Sequence, residues 1–302
     1  MMEIPQPFID RMSELHGEEG VAWCTTLPGL IAEHASRLGF IPETPFPDLT
    51  YNFVLRVRRT DGKPAVLKCS FMKEELAREV SVLRDYEGRG AIRVLEADEE
   101  TGVVLLESAN PGKPLSSMED DSQATAIFCE VFRRLQLPAT AGKPYPSIKQ
   151  HFAAIERYRE RYDDDKRSAP LPESWVENAE ECLQYLIATT SENVLLHGDL
   201  HHGNILRHGE DWAVIDPKGI VGDIHFDTIQ YLLNYEDQGG HRDQVLRNRI
   251  AIMADWLGLD PRRIAMWGVA RGVLEATWTI EDGGTDWERG IQITERFSKC
   301  LD

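Results

Sequence analysis

The sequence predicts an α+β protein in two lobes, a mixed β/α part over residues 1–107 and a larger, mainly helical part over 115–302, joined by a connector at 108–114. Three observations carry this reading. The first third holds paired runs of β-branched and aromatic residues, and two of them flank Thr60-Asp61-Gly62-Lys63. Asp-Gly between such runs signals a hairpin, because it accepts the positive φ of a tight turn. Beyond residue 115, apolar residues recur at three and four, the period of an amphipathic helix. Between the two regimes stands Ser108-Ala109-Asn110-Pro111-Gly112-Lys113-Pro114, whose prolines and glycine break either pattern.

From the N-terminus, Leu30, Ile31, His34 and Leu38 mark a helix within residues 17–38, entered after Pro28, and a proline-rich loop is expected over 42–47. Residues 50–58 and 64–70 read as the strands of the hairpin. A helix follows over about 72–86: at about 100° per residue, Met72, Leu76, Val80 and Leu83 share one face. Glu79 falls beside that apolar stripe, and a carboxylate aimed inward needs a partner. Short strands are expected at 92–96 and 103–106. In the second part, helices are expected at 124–135, 148–161, 173–188, 225–234, 241–257, 262–281 and 286–298. A small β island interrupts them at 194–196, 204–206 and 212–215. Trp256 and Trp267, at helical core spacing, read as packing residues.

Composition excludes several function classes. Of 302 residues, 42% are hydrophobic and 28% charged, too apolar a mixture for a disordered chain. No window approaches the roughly 18 uncharged apolar residues of a membrane helix. The opening Met1-Met2-Glu3-Ile4-Pro5 lacks the basic and apolar regions of a signal peptide. Lys and Arg number 33 against 51 Asp and Glu, a net charge of −18, and they are scattered. Neutralising phosphates needs a basic stripe, so nucleic acid is not an expected partner. An acidic surface attracts cationic small molecules and repels acidic lipid, although it can equally serve solubility. The five cysteines, Cys24, Cys69, Cys129, Cys182 and Cys300, are odd in number, far apart and free of any CxxC spacing. Neither a disulfide framework nor a zinc finger is expected, and a reducing cytoplasm fits. Nothing in the chain calls for an obligate protein partner.

The chemistry concentrates in His197-Gly198-Asp199-Leu200-His201-His202-Gly203-Asn204, which lies between two apolar strands, with Asp216 at the end of the next one. Asp199, Asn204 and Asp216 thereby stand at the ends of neighbouring short strands. That arrangement suits phosphoryl transfer, which needs a carboxylate to orient and deprotonate a hydroxyl and oxygen ligands for Mg²⁺. Read instead as a metal cluster, the His197, Asp199, His201, His202 run could recruit zinc, but no further ligands follow at matching spacing. His197 more simply holds the loop by hydrogen bonds, with His202 packing or solvated. Asp223 and Asp227 flank His225, and Asp227 reads as a brace or helix cap rather than a chemical group.

This loop with Asp216 resembles the catalytic and metal loops of the aminoglycoside phosphotransferases, which share the protein-kinase-like fold. The chain keeps His197-x-Asp199, four residues, then Asn204, and carries Asp216-Pro217-Lys218-Gly219 where protein kinases have Asp-Phe-Gly. That replacement is similar to the aminoglycoside and hydroxyurea resistance kinases, the group containing streptomycin 6-phosphotransferase. The resemblance extends to residues 49–55, to Ala65-Val66-Leu67-Lys68, to Leu105-Leu106-Glu107, to Val221-Gly222-Asp223 and to residues 278–283. It implies a kinase using ATP and Mg²⁺ on a hydroxyl of a small, cationic acceptor, antibiotic in type. By the same resemblance Asp199 is the base or orienting carboxylate, Asn204 and Asp216 hold Mg²⁺, Lys68 meets the α- and β-phosphates and Glu79 pairs with Lys68. Backbone groups of Glu107, Ser108 and Ala109 would then bond adenine.

One departure concerns the phosphate loop: Leu49-Thr50-Tyr51-Asn52-Phe53 has no glycine, which makes close backbone approach to phosphate harder. Side chains of Thr50, Tyr51 or Asn52 would substitute. Lys218 either neutralises charge on the γ-phosphate or is a solvated loop lysine. An amine-rich acceptor calls for carboxylates, for which Glu236, Asp237, Glu275, Glu281 and Asp282 are candidates, and Trp278 could stack on a sugar or guanidino group. Their alternative reading is as solvated helix ends. Two other functions stay open at this point: a kinase for another hydroxylated amine or sugar, and a nucleotide-binding pseudokinase. The missing glycines favour the second slightly, while the complete Lys68, Glu79, Asp199, Asn204, Asp216 set argues against it.

Overall fold

The computed structural model describes residues 2–162, 164, 168–234 and 241–301. They form two compact units, Met1–Gly112 and Lys113–Asp302, a division that falls inside the proline-rich connector.

The first unit opens with α1 (Gln6–Leu38), which bends at Gly17 (φ 58°, ψ −141°) and runs through Pro28. It is longer than the sequence pattern suggested, because its first half buries Phe8 and Met12. The chain then forms β1 (Phe40–Pro45), β2 (Asn52–Arg59), β3 (Pro64–Ser70), α2 (Lys73–Tyr86), β4 (Val94–Asp98) and β5 (Val103–Glu107). The five strands make one antiparallel sheet in the order β1-β2-β3-β5-β4. The expected proline-rich loop at 42–47 is thus largely strand: β1 lies at the sheet edge, where a proline needs no ladder N–H. Asp61-Gly62 makes the β2–β3 turn, with Gly62 at φ 79°.

Alternation along the strands divides this unit's interior. Phe53, Leu55 and Val57 of β2 and Ala65, Leu67 and Cys69 of β3 form one core with Phe8, Met12, Leu27 and Ile31 of α1. Lys68, between Leu67 and Cys69, therefore points to the opposite face. There α2 packs on β4 and β5, and it buries Leu76, Val80 and Leu83 together with Glu79.

The second unit begins with β6 (Pro111–Pro114) running into it and a short 3-10 turn, Leu115–Ser117. Then come α3 (Asp121–Leu135), β7 (Leu137–Pro138), α4 (Ile148–His151), α5 (Ala153–Tyr162) and α6 (Glu173–Thr189). Next are β8 (Val194–Leu196), β9 (Ile205–His208), β10 (Asp211–Val214) and β11 (Ile220–Gly222), followed by α7 (Ile229–Leu233), α8 (Arg242–Leu257), α9 (Pro261–Glu281) and α10 (Glu288–Ser298). The predicted β island is two three-stranded sheets, β10-β9-β6 and β11-β8-β7. The helix expected over 148–161 breaks at Phe152, and a Ser147/Gln150 capping box starts its first piece. The run expected as helix at 225–234 is a 3-10 turn, Ile224–Thr228, leading into α7. Trp267 is wholly buried, but Trp256 is 39% exposed at the end of α8, contrary to its expected packing role.

Helix α9 buries nearly its whole length against α10, α6 and α5. Its contact with α10 is close because small residues face each other. A Cβ on Gly272 would lie 2.3 Å from Thr294 Oγ1, and one on Gly290 would lie 2.4 Å from the Gly272 carbonyl. No helix among the described residues is long and apolar enough to cross a membrane, and all five cysteines are free thiols.

Candidate active site

In the first unit, the Lys68 Nζ donates to Glu79 Oε2 at 2.6 Å, and both side chains are more than nine-tenths buried. The strand alternation and the helix stripe explain the meeting: β3 aims Lys68 at α2, and α2 turns Glu79 toward the sheet. At the end of β5, Glu107 stands in register with Ala65, donates its backbone N–H to the Arg93 carbonyl at 2.9 Å and accepts from the Arg93 backbone N–H through Oε2 at 3.2 Å. Ser108 and Ala109 follow, half-buried. Thr50 is exposed in the loop before β2, while Asn52 begins that strand and pairs with Ser70.

In the second unit, the loop from His197 to Asn204 links β8 to β9 and is held by its own backbone. The His197 carbonyl accepts from the N–H of Lys218 at 2.7 Å and of Gly219 at 3.3 Å. The backbone N–H groups of His197 and Gly198 both donate to the buried Asp227 carboxylate, at 2.8 and 2.7 Å. Burial pushes Asp227 up to about 6, against the lowering effect of these two donors. Gly198 sits at φ 81°, and a Cβ there would meet Ile220 Cδ1 at 3.0 Å, so the loop needs glycine. The His197 Nδ1 accepts from the Asp199 N–H at 3.2 Å, so its Nε2 is the protonated nitrogen and donates to the Ile215 carbonyl at 2.9 Å. Burial holds His197 down to about 4, and the ring stays neutral. His202 stacks on Tyr231, its ring centroid 3.8 Å away.

These bonds bring three polar side chains into one frame. Asn204 Nδ2 donates to the Asp199 carbonyl at 2.9 Å, which leaves its side-chain oxygen as the atom able to bind a cation. The Ile215 N–H donates to the Asn204 carbonyl at 3.0 Å, and Asp216 follows directly at φ 59°. The Asp199 Oδ1 accepts from Gln230 Nε2 at 2.9 Å, and His201 Nε2 stands 4.0 Å from the same oxygen. An amide oxygen and one carboxylate are the hard donors Mg²⁺ takes when phosphates and water complete its shell, so Asn204 and Asp216 fit that ion. A zinc site does not fit: among the described residues no three His, Cys, Asp or Glu side chains group as ligands. The Lys218 side chain is exposed, and its contribution to the frame is the backbone bond to His197.

The acceptor candidates are largely engaged within the chain. Glu275 accepts from Arg271 at 2.5 Å, and Arg271 also lies over the Trp278 ring, 4.9 Å from its centroid. Glu281 takes two bonds from Arg157, both 2.8 Å. Asp282 is exposed at the end of α9. Glu236 and Asp237 lie outside the described residues. The sequence reading passed over Gln230. It stands three residues after Asp227, one helical turn on, so the two present to the same loop. A lone amide inside the apolar run Thr228–Leu233 was the available signal.

A family model described as aminoglycoside/hydroxyurea antibiotic resistance kinase matches residues 42–283. The chain is 32% identical to a streptomycin 6-kinase of Streptomyces glaucescens over 297 residues, covering 94% of this chain and 92% of that enzyme. It is 31% identical to a hydroxyurea phosphotransferase of Kitasatospora aureofaciens, covering 98% and 86% respectively. Among solved structures it is similar to the aminoglycoside phosphotransferase APH(4)-Ia in a ternary complex with ADP and hygromycin B. There the TM-score is 0.62 and the identity 13%, covering 89% of this chain and 97% of that one. At that identity the likeness bears on the fold alone, which is the protein-kinase-like one.

Proposed function

The chain belongs to the aminoglycoside/hydroxyurea antibiotic resistance kinase family, and from that premise we propose that it transfers the γ-phosphoryl group of ATP to a hydroxyl of a streptomycin-like or hydroxyurea-like molecule. The observation that supports this best is the loop from His197 to Asn204. Its backbone is clamped by Asp227 and by residues 218–219, so the Asp199 carboxylate is presented on a fixed support. Such preorganisation is what phosphoryl transfer asks of a protein, since positioning and charge stabilisation supply most of the acceleration.

In this reading Asp199 accepts a hydrogen bond from the acceptor hydroxyl and takes its proton. The oxygen then bonds to the γ-phosphorus as the bond to the β,γ-bridging oxygen breaks, and ADP leaves. Asn204 and Asp216 would hold Mg²⁺, which when bound neutralises charge on the phosphate oxygens. Lys68, oriented by Glu79, meets the α- and β-phosphates, with Thr50 and Asn52 as side-chain contacts in place of a glycine-rich loop. The exposed Lys218 ammonium meets the γ-phosphate, and backbone groups of Glu107, Ser108 and Ala109 bond adenine. Of the acceptor candidates, Glu275, Trp278, Glu281 and Asp282 would contact the bound molecule, and a cytoplasmic location supplies the ATP.

The test is incubation of the purified chain with ATP, Mg²⁺ and either streptomycin or hydroxyurea. The expected result is acceptor-dependent ADP release and an acceptor heavier by one phosphoryl group. Asp199→Asn is expected to lower kcat at least about 10²-fold while nucleotide affinity persists. Full turnover by that variant, or no phosphorylated acceptor with the unchanged chain, refutes the reading.

A further inference from the structure

Two grips three residues apart reach the same loop. Asp227 holds its backbone, and Gln230, at the start of α7, holds the side chain of Asp199. We propose that Gln230 is a positioning residue for phosphoryl transfer, fixing the rotamer of Asp199 so that Oδ2 is the oxygen offered to the acceptor hydroxyl. The inference rests on the proposed role of Asp199 and goes beyond it, since neither the family match nor the named relatives assign a task to this glutamine.

Chemistry settles the direction of the bond. An ionised carboxylate can only accept, so the glutamine presents its N–H₂ group to Asp199 Oδ1. Among the described residues, Oδ2 takes no hydrogen bond. The Asp199 side chain is 26% exposed, and the one basic nitrogen paired with it among the described residues, His201 Nε2, stands at 4.0 Å. A carboxylate on a short stem has a broad terminal torsion, so without a donor at Oδ1 it samples several orientations. The backbone that carries Gln230 is held: its main-chain carbonyl accepts from Asn234 Nδ2 at 2.7 Å, and Ile229, Tyr231 and Leu232 around it are buried. The donor therefore extends from a fixed backbone, and it belongs to the segment that already clamps the loop. A neutral amide suits the task better than lysine or arginine would. It orients the carboxylate with less withdrawal of the negative charge that must attract the hydroxyl proton.

Steady-state kinetics with streptomycin and ATP test the proposal, using isosteres that keep the volume of the side chain. Gln230→Met removes the donor, and Gln230→Glu replaces it with a like charge. Both are expected to lower kcat, by about 10-fold to about 10²-fold, with KM for ATP and for streptomycin near that of the unchanged chain, because misorientation harms the transition state rather than binding. Gln230→Lys restores an N–H donor and recovers part of kcat relative to Gln230→Met, which a merely structural role would not produce. Unaltered kcat in Gln230→Met, or a rise in KM alone, overturns the inference. Asp199→Asn separates this failure from failure of the underlying reading: if that variant keeps full turnover, Asp199 itself has been misread. A readout needing no acceptor is the Gln230 side-chain amide resonance in ¹⁵N-labelled protein. It is expected to move when Asp199 becomes Asn, and a stationary resonance overturns the contact.

Discussion

The Lys68–Glu79 pair separates stability from chemistry at the scale of single residues. Their side chains are 5% and 9% exposed, so each charge is tolerated because the other is 2.6 Å away. Removing one partner of a buried pair costs about 3–5 kcal/mol, whereas replacing both by apolar groups of similar size is often neutral. Lys68→Met alone is therefore expected to lower the unfolding free energy by about that amount, and Lys68→Met with Glu79→Leu to restore most of it. Turnover should stay lost in both if Lys68 has its proposed role, since the α- and β-phosphates then lose their ammonium. Denaturant melts and a kinase assay on the two variants check this, and a double variant that regains activity would remove the pair from the machinery. Glu79 was readable in advance because it broke an apolar stripe, and Lys68 because it ended an apolar run. Gln230 showed only as a lone amide in an apolar run, because its partner lies 31 residues away and a local pattern does not name such a partner. The same holds for Arg157 on Glu281, 124 residues apart, which turns an apparently free acid into a paired one.

Whole elements followed the period of their apolar residues, and the exceptions have physical causes. Strand β1 was hidden by its prolines, which only an edge position tolerates, and β11 is three residues long and exists through its pairing with β8. The break between α4 and α5 sits where Phe152 turns inward against Phe226 and Trp267, a tertiary demand that periodicity does not carry. His151 beside it lies edge-on to Phe152, Phe226 and Trp278. Burial first, and the Arg271 charge second, hold this imidazole down to about 4. An unfolded chain takes up a proton as pH falls through about 6.5, and the folded chain does not until about 4, so this stability is present above 6.5 and lost on acidification. His151→Phe keeps an aromatic ring and cannot titrate. Relative to the unchanged chain, the variant should gain about 2 kcal/mol on going from about pH 7 to about pH 5. Equal pH dependence of the two proteins in urea melts would contradict it. The α9–α10 contact offers a parallel test. A Cβ on Gly268 would lie 2.2 Å from the Phe297 ring, so Gly268→Ala should destabilise by about 1–3 kcal/mol through overpacking, although alanine favours helix. A thermal melt at or above that of the unchanged chain would show that the helices can move apart freely.

Charge acts at the scale of the whole molecule. The net −18 is spread over a chain whose candidate acceptor acids, Glu275 and Glu281, are partly offset by Arg271 and Arg157. Local pairing therefore leaves less to attract a cation at those two carboxylates, and the remaining attraction comes from the summed field. Such a field raises the encounter rate of a cationic ligand and is screened by salt, with a Debye length falling from about 30 Å at 0.01 M to about 8 Å at 0.15 M. Streptomycin is cationic through its guanidinium groups, whereas hydroxyurea is neutral. At saturating ATP, raising the ionic strength over that range is expected to lower kcat/KM for streptomycin severalfold and to leave that for hydroxyurea nearly level. Using one enzyme and two acceptors cancels salt effects on the nucleotide and on stability, so the ratio of the two responses isolates the field. If both acceptors respond alike, the acidic surface contributes to solubility only, and discrimination between them must come from contacts made at Asp199 and on α9.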